Sequence, residues 1–220
     1  MLSKAKIKLI QSLELKKKRR EERLFVAEGP KVVGDLLPYF TCRLIVASNS
    51  WLEQHPHIKA DEVIEATTDE LRKASFLKAP QDVLALFELP DYPTPDNISD
   101  KELCLALDDI QDPGNLGTII RVADWFGIRH IFCSIGTTDA YSPKTVQASM
   151  GAVARVQMHY VDLPQYLSAV RSNHPQTPIY GTFLEGSNIY NEPLSTSGII
   201  VMGNEGNGIS DPVKQTVSHK

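Results

Sequence analysis

The chain has 220 residues, 42% of them hydrophobic and 23% charged, with a net charge of −4, which suits one large globular domain or two modest ones that build their own core. No apolar run is long enough to span a bilayer, the N-terminus lacks the apolar stretch of a secretory signal, and the three widely spaced cysteines Cys42, Cys104 and Cys133 fit neither a disulfide framework nor a metal cluster. Membrane and metal-centred roles are thereby set aside, and a reducing cytoplasm is the expected setting. The charge is uneven: residues 1–23 hold nine basic and three acidic side chains, a net +6, so the remainder carries −10. A basic arm on an acidic body points to local contact with a polyanion.

Residues 4–23 read as one helix, with Ile7, Ile10 and Leu13 or Leu15 on one side and lysines elsewhere. The basic residues Lys17, Lys18, Arg19, Arg20 and Arg23, with Lys31 further on, have two readings. One is a solvated helix face. The other is a set of contacts to nucleic-acid phosphates, each releasing counterions.

A strand is expected over Leu24-Phe25-Val26-Ala27-Glu28-Gly29, then a helix opened by Pro30 and running through Leu37. Short apolar strands come next at 44–47, 63–66 and 83–87, with a helix beginning near Thr68. His55 and His57 flank Pro56 in a polar stretch, which reads as a solvated loop and not as a metal site. Residues 1–90 therefore form a small α/β unit. Pro90, Pro93 and Pro95 stiffen the segment at its end, and residues 91–100 are read as a linker.

From 101 to 220 strands and helices alternate. Strands are expected at Leu103–Leu107, His130–Ser134, 153–158, 179–183 and 199–202. Helices are expected at 115–126, closed by Gly127, at 143–150 behind a Ser142 cap, and from the Asp162 cap to 172. This alternation predicts an α/β domain with a mostly parallel open sheet and helices on both faces. Ligands in such sheets bind beyond the carboxyl ends of the strands. Three polar, glycine-containing segments leave strands there: residues 108–117, residues 184–187 and residues 203–208. Glycine lets main-chain groups approach a ligand closely, but it is also the default turn residue. Convergence of three such loops on one edge favours a site.

Arg121 stands out inside the apolar helical stretch Thr118-Ile119-Ile120-Arg121-Val122-Ala123. It either snorkels to solvent or turns its planar fork into the strand-end crevice to grip a phosphate. Asn115 opens the same helix, as its N-cap or with its amide turned toward a substrate. Glu205 is either a solvated loop carboxylate or the partner of Arg121 or of a substrate. The 203–208 loop has G-x-x-G-x-G spacing, not the dinucleotide G-x-G-x-x-G, and it comes after the last strand, which argues against a nicotinamide oxidoreductase. The chain contains no P-loop motif.

The stretch Asp112-Pro113-Gly114-Asn115-Leu116-Gly117-Thr118-Ile119-Ile120-Arg121-Val122-Ala123-Asp124-Trp125-Phe126-Gly127 resembles the first signature of the SpoU-type (TrmH-like) RNA ribose methyltransferases. Ile200-Val201-Met202-Gly203-Asn204-Glu205-Gly206-Asn207-Gly208-Ile209-Ser210 resembles their second. Tyr141-Ser142-Pro143-Lys144 and Gln147-Ala148-Ser149-Met150-Gly151-Ala152 are similar to a stretch between them, and Arg23-Leu24-Phe25-Val26-Ala27-Glu28-Gly29 with Val32 resembles the small substrate-binding domain of many members.

The resemblance implies a SPOUT-like methyltransferase domain over 101–220, a parallel α/β fold with a trefoil knot, behind an RNA-binding domain over 1–90. It implies S-adenosylmethionine as cofactor, a ribose 2′-hydroxyl of structured RNA as acceptor (rRNA in preference to tRNA), a homodimer, and no metal. It further implies Asn115, Arg121 and Glu205 as catalytic-site residues. Thr182, Gly203, Asn204, Gly206, Gly208 and Ile209 are the implied cofactor contacts, and Lys17, Lys18, Arg19, Arg20, Arg23 and Lys31 the RNA contacts. The family's third signature, an apolar-Pro stretch followed by Ser-Leu-Asn, has no counterpart before Lys220, so the knot is expected to be incomplete in this chain. An RNA-binding module without turnover is the alternative expectation.

Overall fold

The computed structural model describes residues 1–95, 102–186 and 194–220. The expected linker falls partly outside them, at residues 96–100, as does Ser187 of the second glycine loop. The chain divides into two compact units, one of Met1–Asp91 with Asp139–Arg155, the other of Tyr92–Thr138 with Val156–Lys220. Chain order alone assigned residues 139–155 to the second domain; in the fold they cluster with the first ninety residues.

The N-terminal unit is a four-stranded sheet of β1 (Leu24–Glu28), β2 (Cys42–Ala47), β3 (Glu62–Glu65) and β4 (Val83–Glu88), in the order β1-β4-β2-β3. β4 runs antiparallel to β1 and β2, and β3 runs parallel to β2. Alternation along the strands sends Val26, Leu44, Val46, Leu84 and Leu86 into a core shared with Ile10, Leu13 and Leu71. Each fully buried aliphatic side chain there contributes about 1.5–3 kcal/mol. On the other face Phe25 meets Phe40, Phe87 and Tyr141, with ring centroids 5.3, 5.7 and 5.1 Å away.

The single helix expected over 4–23 is two, α1 (Lys4–Ser12) and α2 (Lys16–Glu22). Leu13 is fully buried, and Leu15 adopts an extended conformation that ends the helical run. The break leaves the Leu13 and Glu14 carbonyls without helical partners, and the Arg19 guanidinium donates to both, at 2.6 and 2.7 Å. The remaining helices of the unit are α3 (Pro30–Leu36), α4 (Asn49–Gln54), α5 (Thr68–Ala74) and, from the inserted segment, α7 (Pro143–Ser149). Thr67 and Glu70 close a capping box on α5. The strand expected at 153–158 begins instead as a 3-10 turn, Ala152–Ala154, after left-handed Met150 and Gly151. A short apolar run does not by its period distinguish the two.

The C-terminal unit holds β5 (Leu103–Leu107), β6 (His130–Ser134), β7 (Gln157–Val161), β8 (Ile179–Gly181) and β9 (Gly198–Met202). They form one sheet in the order β7-β6-β5-β9-β8, parallel throughout. Helices α8 (Leu163–Asn173) and α9 (Asp211–Lys214) place Leu163, Leu167, Val170 and Val213 in a core with Cys104, Ala106, Phe132, Ile199 and Val201. Helix α6 (Pro113–Trp125) buries Leu116, Ile120 and Ala123. After α9 the chain returns to lie beside β8, where the Gly181 N–H donates to the His219 carbonyl.

Candidate active site

Because the second sheet is parallel, the segments leaving β5, β6, β8 and β9 emerge along one edge, and the order β6-β5-β9-β8 makes them neighbours. Asp108 ends β5 buried, and its Oδ2 accepts the Ser210 N–H at 2.7 Å. Asp109 comes next, in the left-handed region at φ 60°, a conformation that costs about 1 kcal/mol outside glycine. Three contacts hold it there. Its N–H donates to Ser134 Oγ at 2.9 Å, its Oδ1 accepts from Gln111 Nε2 at 2.6 Å, and its carbonyl accepts from Asn204 Nδ2 at 2.7 Å. Gln111 Nε2 also reaches the Gly136 carbonyl at 3.0 Å. Sequence reading placed Asp108, Asp109 and Gln111 in a strand-end segment but gave none of them a role; two consecutive acidic residues after a buried apolar strand were the available signal.

The N-cap of α6 is Asp112, whose Oδ1 accepts the Asn115 N–H at 2.9 Å, with Pro113 in the first turn. Asn115 is thus inside the helix and not its cap. Its side chain is left to donate, from Nδ2, to Glu205 Oε1 at 2.9 Å. Both residues are exposed. This hydrogen bond joins the loop after β5 to the loop after β9.

Arg121 lies six residues further along α6, exposed, with Thr118 and Trp125 on the same helical face. The anticipated pairing of Arg121 with Glu205 is not formed; Glu205 has Asn115 as its partner. Among the described residues no ion pair or hydrogen bond engages the Arg121 guanidinium, so it is presented to solvent.

Residues 204–208 form a tight hairpin, in which the Asn204 and Gly208 main chains exchange N–H···O bonds of 3.0 and 2.8 Å. A Cβ at Gly203 would collide with the backbone of Gly208 and Ile209, and Gly208 sits at φ 69°. Both positions require glycine. The side-chain oxygen of Asn204 accepts the N–H groups of Gly206 and Asn207 at 2.9 and 3.0 Å, while its Nδ2 holds Asp109. The Asn204 side chain, expected to contact a cofactor, is therefore spent on building the loop. Two further side chains from the same expected set are also committed. Thr182 donates its N–H and hydroxyl to the Val201 carbonyl at 3.1 and 3.0 Å, and Ile209 is buried in the core. What remains open along this edge is main chain, with exposed Gly206 and Gly208.

In the N-terminal unit Lys17, Arg20, Arg23 and Lys31 are exposed, and Lys18 is half-buried. Lys18 pairs with Glu21 at 2.6 Å and Lys31 with Asp35 at 2.8 Å, weak, solvated contacts that exchange readily. Arg19 departs from the expectation: it is 2% exposed and ion-paired to Asp139 at 2.5 Å. A guanidinium so enclosed does not reach an RNA phosphate. Among the described residues no group of three or more His, Cys, Asp or Glu side chains is placed to hold a metal ion, and no helix is long and apolar enough to cross a membrane.

Residues 102–220 match the SpoU rRNA Methylase family, and residues 4–85 match the MRM3-like substrate binding domain. A Porphyromonas gingivalis protein assigned to the TrmH family of RNA methyltransferases superposes on the whole chain and 87% of its own, with a TM-score of 0.91 and 42% identity. An AdoMet-bound rRNA methyltransferase from Sinorhizobium meliloti superposes on the whole chain and 85% of its own, with a TM-score of 0.84 and 30% identity. RlmP of Bacillus subtilis, a 23S rRNA (guanosine(2553)-2′-O)-methyltransferase, is 27% identical over 93% of this chain and 81% of its own length. The chain spans 42% of the length of the mitochondrial rRNA methyltransferase 3 of Xenopus tropicalis, which it matches at 30% identity. With its parallel sheet, its strand-end loops and both signature segments joined through Asn115 and Glu205, the chain belongs to the SpoU rRNA methylase family.

Proposed function

We propose that this protein transfers a methyl group from S-adenosylmethionine to a ribose 2′-hydroxyl of structured RNA, ribosomal RNA in preference to transfer RNA. The observation that carries the reading is the hydrogen bond between Asn115 and Glu205, which sets a carboxylate beside an amide at the edge where α/β sheets bind ligands. The names of the relatives support the reaction class and the preference for rRNA.

The cofactor fits the residues present. A nucleoside is recognised through main-chain groups, and the edge offers backbone of the 203–208 hairpin and of the segment after β8, held rigid by Asn204 and Thr182. When bound, S-adenosylmethionine supplies an electrophilic methyl group on its sulfonium. The chain's own work is positioning. A guanidinium is a hydrogen-bond donor and not a base. In this reading the Arg121 fork holds an RNA phosphate and stabilises negative charge growing on the ribose oxygen. Asn115 fixes the Glu205 carboxylate, which orients the acceptor.

The proposal assigns RNA capture to residues 1–90, through Lys17, Lys18, Arg20, Arg23 and Lys31, linkage to 91–100, and catalysis to 101–220. It includes a homodimer: Val122 and Trp125 (86%) of α6 and its capping residue Phe126 (73%) are exposed, an apolar patch that a second copy would cover. It also includes a cytoplasmic setting, in keeping with three cysteines that are all buried.

The test is methyl transfer from radiolabelled S-adenosylmethionine to total rRNA and to tRNA, with nuclease mapping of the label. Label in ribose of rRNA is the expected result. Salt-dependent RNA binding without label in either RNA would favour the RNA-binding module instead.

A further inference from the structure

Helix α2 is seven residues long and opens with the basic run Lys16-Lys17-Lys18-Arg19-Arg20. Its own sequence supports it poorly. A helix this short does not persist alone. Leu15 at its N-cap provides no side-chain bond, and lysines in its first turn face the positive end of the helix dipole. No apolar side chain anchors it either: its one buried residue is Arg19. The Arg19 Nε and Nη2 both donate to Asp139 Oδ2, at 3.1 and 2.5 Å, and its Nη1 donates to the carbonyls of Leu13 and Glu14. Asp139 is fixed in turn. Its Oδ1 accepts the Tyr141 N–H at 3.0 Å, and its carbonyl accepts the Ser142 N–H and the Thr145 hydroxyl at 3.1 and 3.0 Å. All of these groups belong to the N-terminal unit.

This tie decides what α2 presents to solvent. Lys17 and Arg20 are neighbours one turn apart, Arg23 follows three residues on, and all three are exposed. Arg23 ends the helix in the left-handed region at φ 55°, and its N–H donates to the Arg19 carbonyl. Arg19 therefore holds this basic residue through its main chain as well. Among the described residues no hydrogen bond or ion pair engages the guanidinium of Arg20 or of Arg23. An apolar anchor would avoid the desolvation cost of a buried ion pair. It would also leave α2 free to turn about its axis, because apolar contact is non-directional. The directional bonds of the Arg19 guanidinium fix that rotation.

We infer that Lys17, Arg20 and Arg23 form a phosphate-contacting stripe aimed by the buried Arg19–Asp139 pair, and that Arg19 and Asp139 are positioning residues for RNA capture that touch no RNA. A guanidinium suits this task because one planar group serves a carboxylate and two carbonyls at once, which lysine cannot do. The inference rests on the proposed RNA substrate. It has a distinctive consequence. Removing an acidic group beside a basic face ordinarily strengthens binding to a polyanion; neutralising Asp139 weakens it.

The affinity of the full chain for a fluorescent RNA stem-loop, measured across a salt series, tests it. Arg20→Ala and Arg23→Ala should each lower the slope of log K against log salt by about one, as lost phosphate contacts do. Arg19→Met and Asp139→Asn should each weaken binding by about tenfold, alike although they change the charge in opposite directions. Asparagine fails here because it has one oxygen where Asp139 uses two, one for Arg19 and one for Tyr141. Arg19→Lys keeps the charge but not the fork, and should fall between. Adding Arg20→Ala to Arg19→Met should weaken binding little further, since the stripe is already misdirected. Hydrogen exchange of the amides at 20–23 should quicken in Arg19→Met and Asp139→Asn. Unchanged or tighter binding by Asp139→Asn, full affinity in Arg19→Lys, or multiplying losses for Arg19→Met and Arg20→Ala each overturn the inference. If Arg19→Met does not fold, Asp139→Asn and Arg19→Lys carry the comparison. A wild type with no salt-dependent affinity for the stem-loop overturns RNA capture by this unit, and the stripe with it. A wild type that binds, with Asp139→Asn equal to it, overturns the positioning alone.

Discussion

Asn115 and Glu205, 90 positions apart, meet through a 2.9 Å hydrogen bond from Nδ2 to Oε1. The bond forms because Asp112, not Asn115, caps α6 and so releases the Asn115 side chain. Both residues are exposed, so stability depends little on them. Asn115→Ala and Glu205→Ala should each leave the melting temperature within a few degrees of wild type and lower methyl transfer by about 100-fold, the scale on which losing one aligned polar group costs a rate. Because the two act as a unit, the double variant should fall little further. Single-turnover rates for the three variants check this; fully multiplicative losses would show that the hydrogen bond has no bearing on the chemistry.

Asn204 and Gly203 affect the loop itself. Asn204→Ala removes acceptors for the Gly206 and Asn207 amides and the donor to the Asp109 carbonyl. Loss of such partly buried bonds costs about 1–3 kcal/mol, and Asp109 would be freed from its left-handed conformation. Gly203→Ala forces a methyl group into the backbone of Gly208 and Ile209. Titration calorimetry with S-adenosylmethionine should show affinity lowered by tenfold or more in both variants. Wild-type affinity in either would separate the hairpin from cofactor binding.

Much of this was legible in the sequence. The parallel βαβ order, the Ser142 and Asp162 caps and the strand-end loops follow from hydrophobic period and capping chemistry, and the structure has them. Other features depend on partners distant along the chain. The break between α1 and α2 is set by burial of Leu13 and by Arg19, whose carboxylate partner is 120 positions away. The same fact removes Arg19 from the exposed basic residues with which its neighbours group it. Asn204 looked like a ligand contact because local sequence cannot show that its amide is already bonded on both sides. The short helices α4 and α9 were missed because four to six residues give too little period to detect.

Arg121 provides a contrast with Arg19. It is exposed on α6 and engages no described residue, so its removal disturbs no internal bond. Arg121→Ala should therefore leave the fold and S-adenosylmethionine affinity as they are. Methyl transfer should drop by 100-fold or more, and Arg121→Lys should recover only part of the loss, because an ammonium cannot form the planar fork. Rates at saturating cofactor, alongside a thermal melt, measure both. Full activity in Arg121→Lys would leave only a point charge as the requirement.

The histidine pair on β6 and β7 should make stability fall in acid. His130 Nδ1 and His159 Nε2 lie 3.0 Å apart, and His159 is 2% exposed, stacked near Phe132 and edged by Tyr92. Burial, and then the neighbouring His130, push the His159 imidazole down to about 4 from its ordinary 6.5. His130 is lowered too, by burial and by Arg129, with Glu102 opposing. The folded protein thus keeps His159 neutral where the unfolded chain binds a proton. Well above pH 6.5 neither state is protonated and the pair contributes no pH dependence to stability. As pH falls from 6.5 toward 4 the unfolded state alone takes up the proton, and stability declines, by up to about 3 kcal/mol for a difference of this size. Below 4 the folded state is protonated as well and the decline levels off. Replacing the imidazole by an amide in His159→Gln removes that titration while keeping a hydrogen-bonding group toward His130. Urea midpoints measured from pH 7.5 to 4.0 should fall steeply in the wild type and less steeply in the variant, with a residual slope from His130. Parallel curves for the two proteins would show that His159 is not the group that titrates.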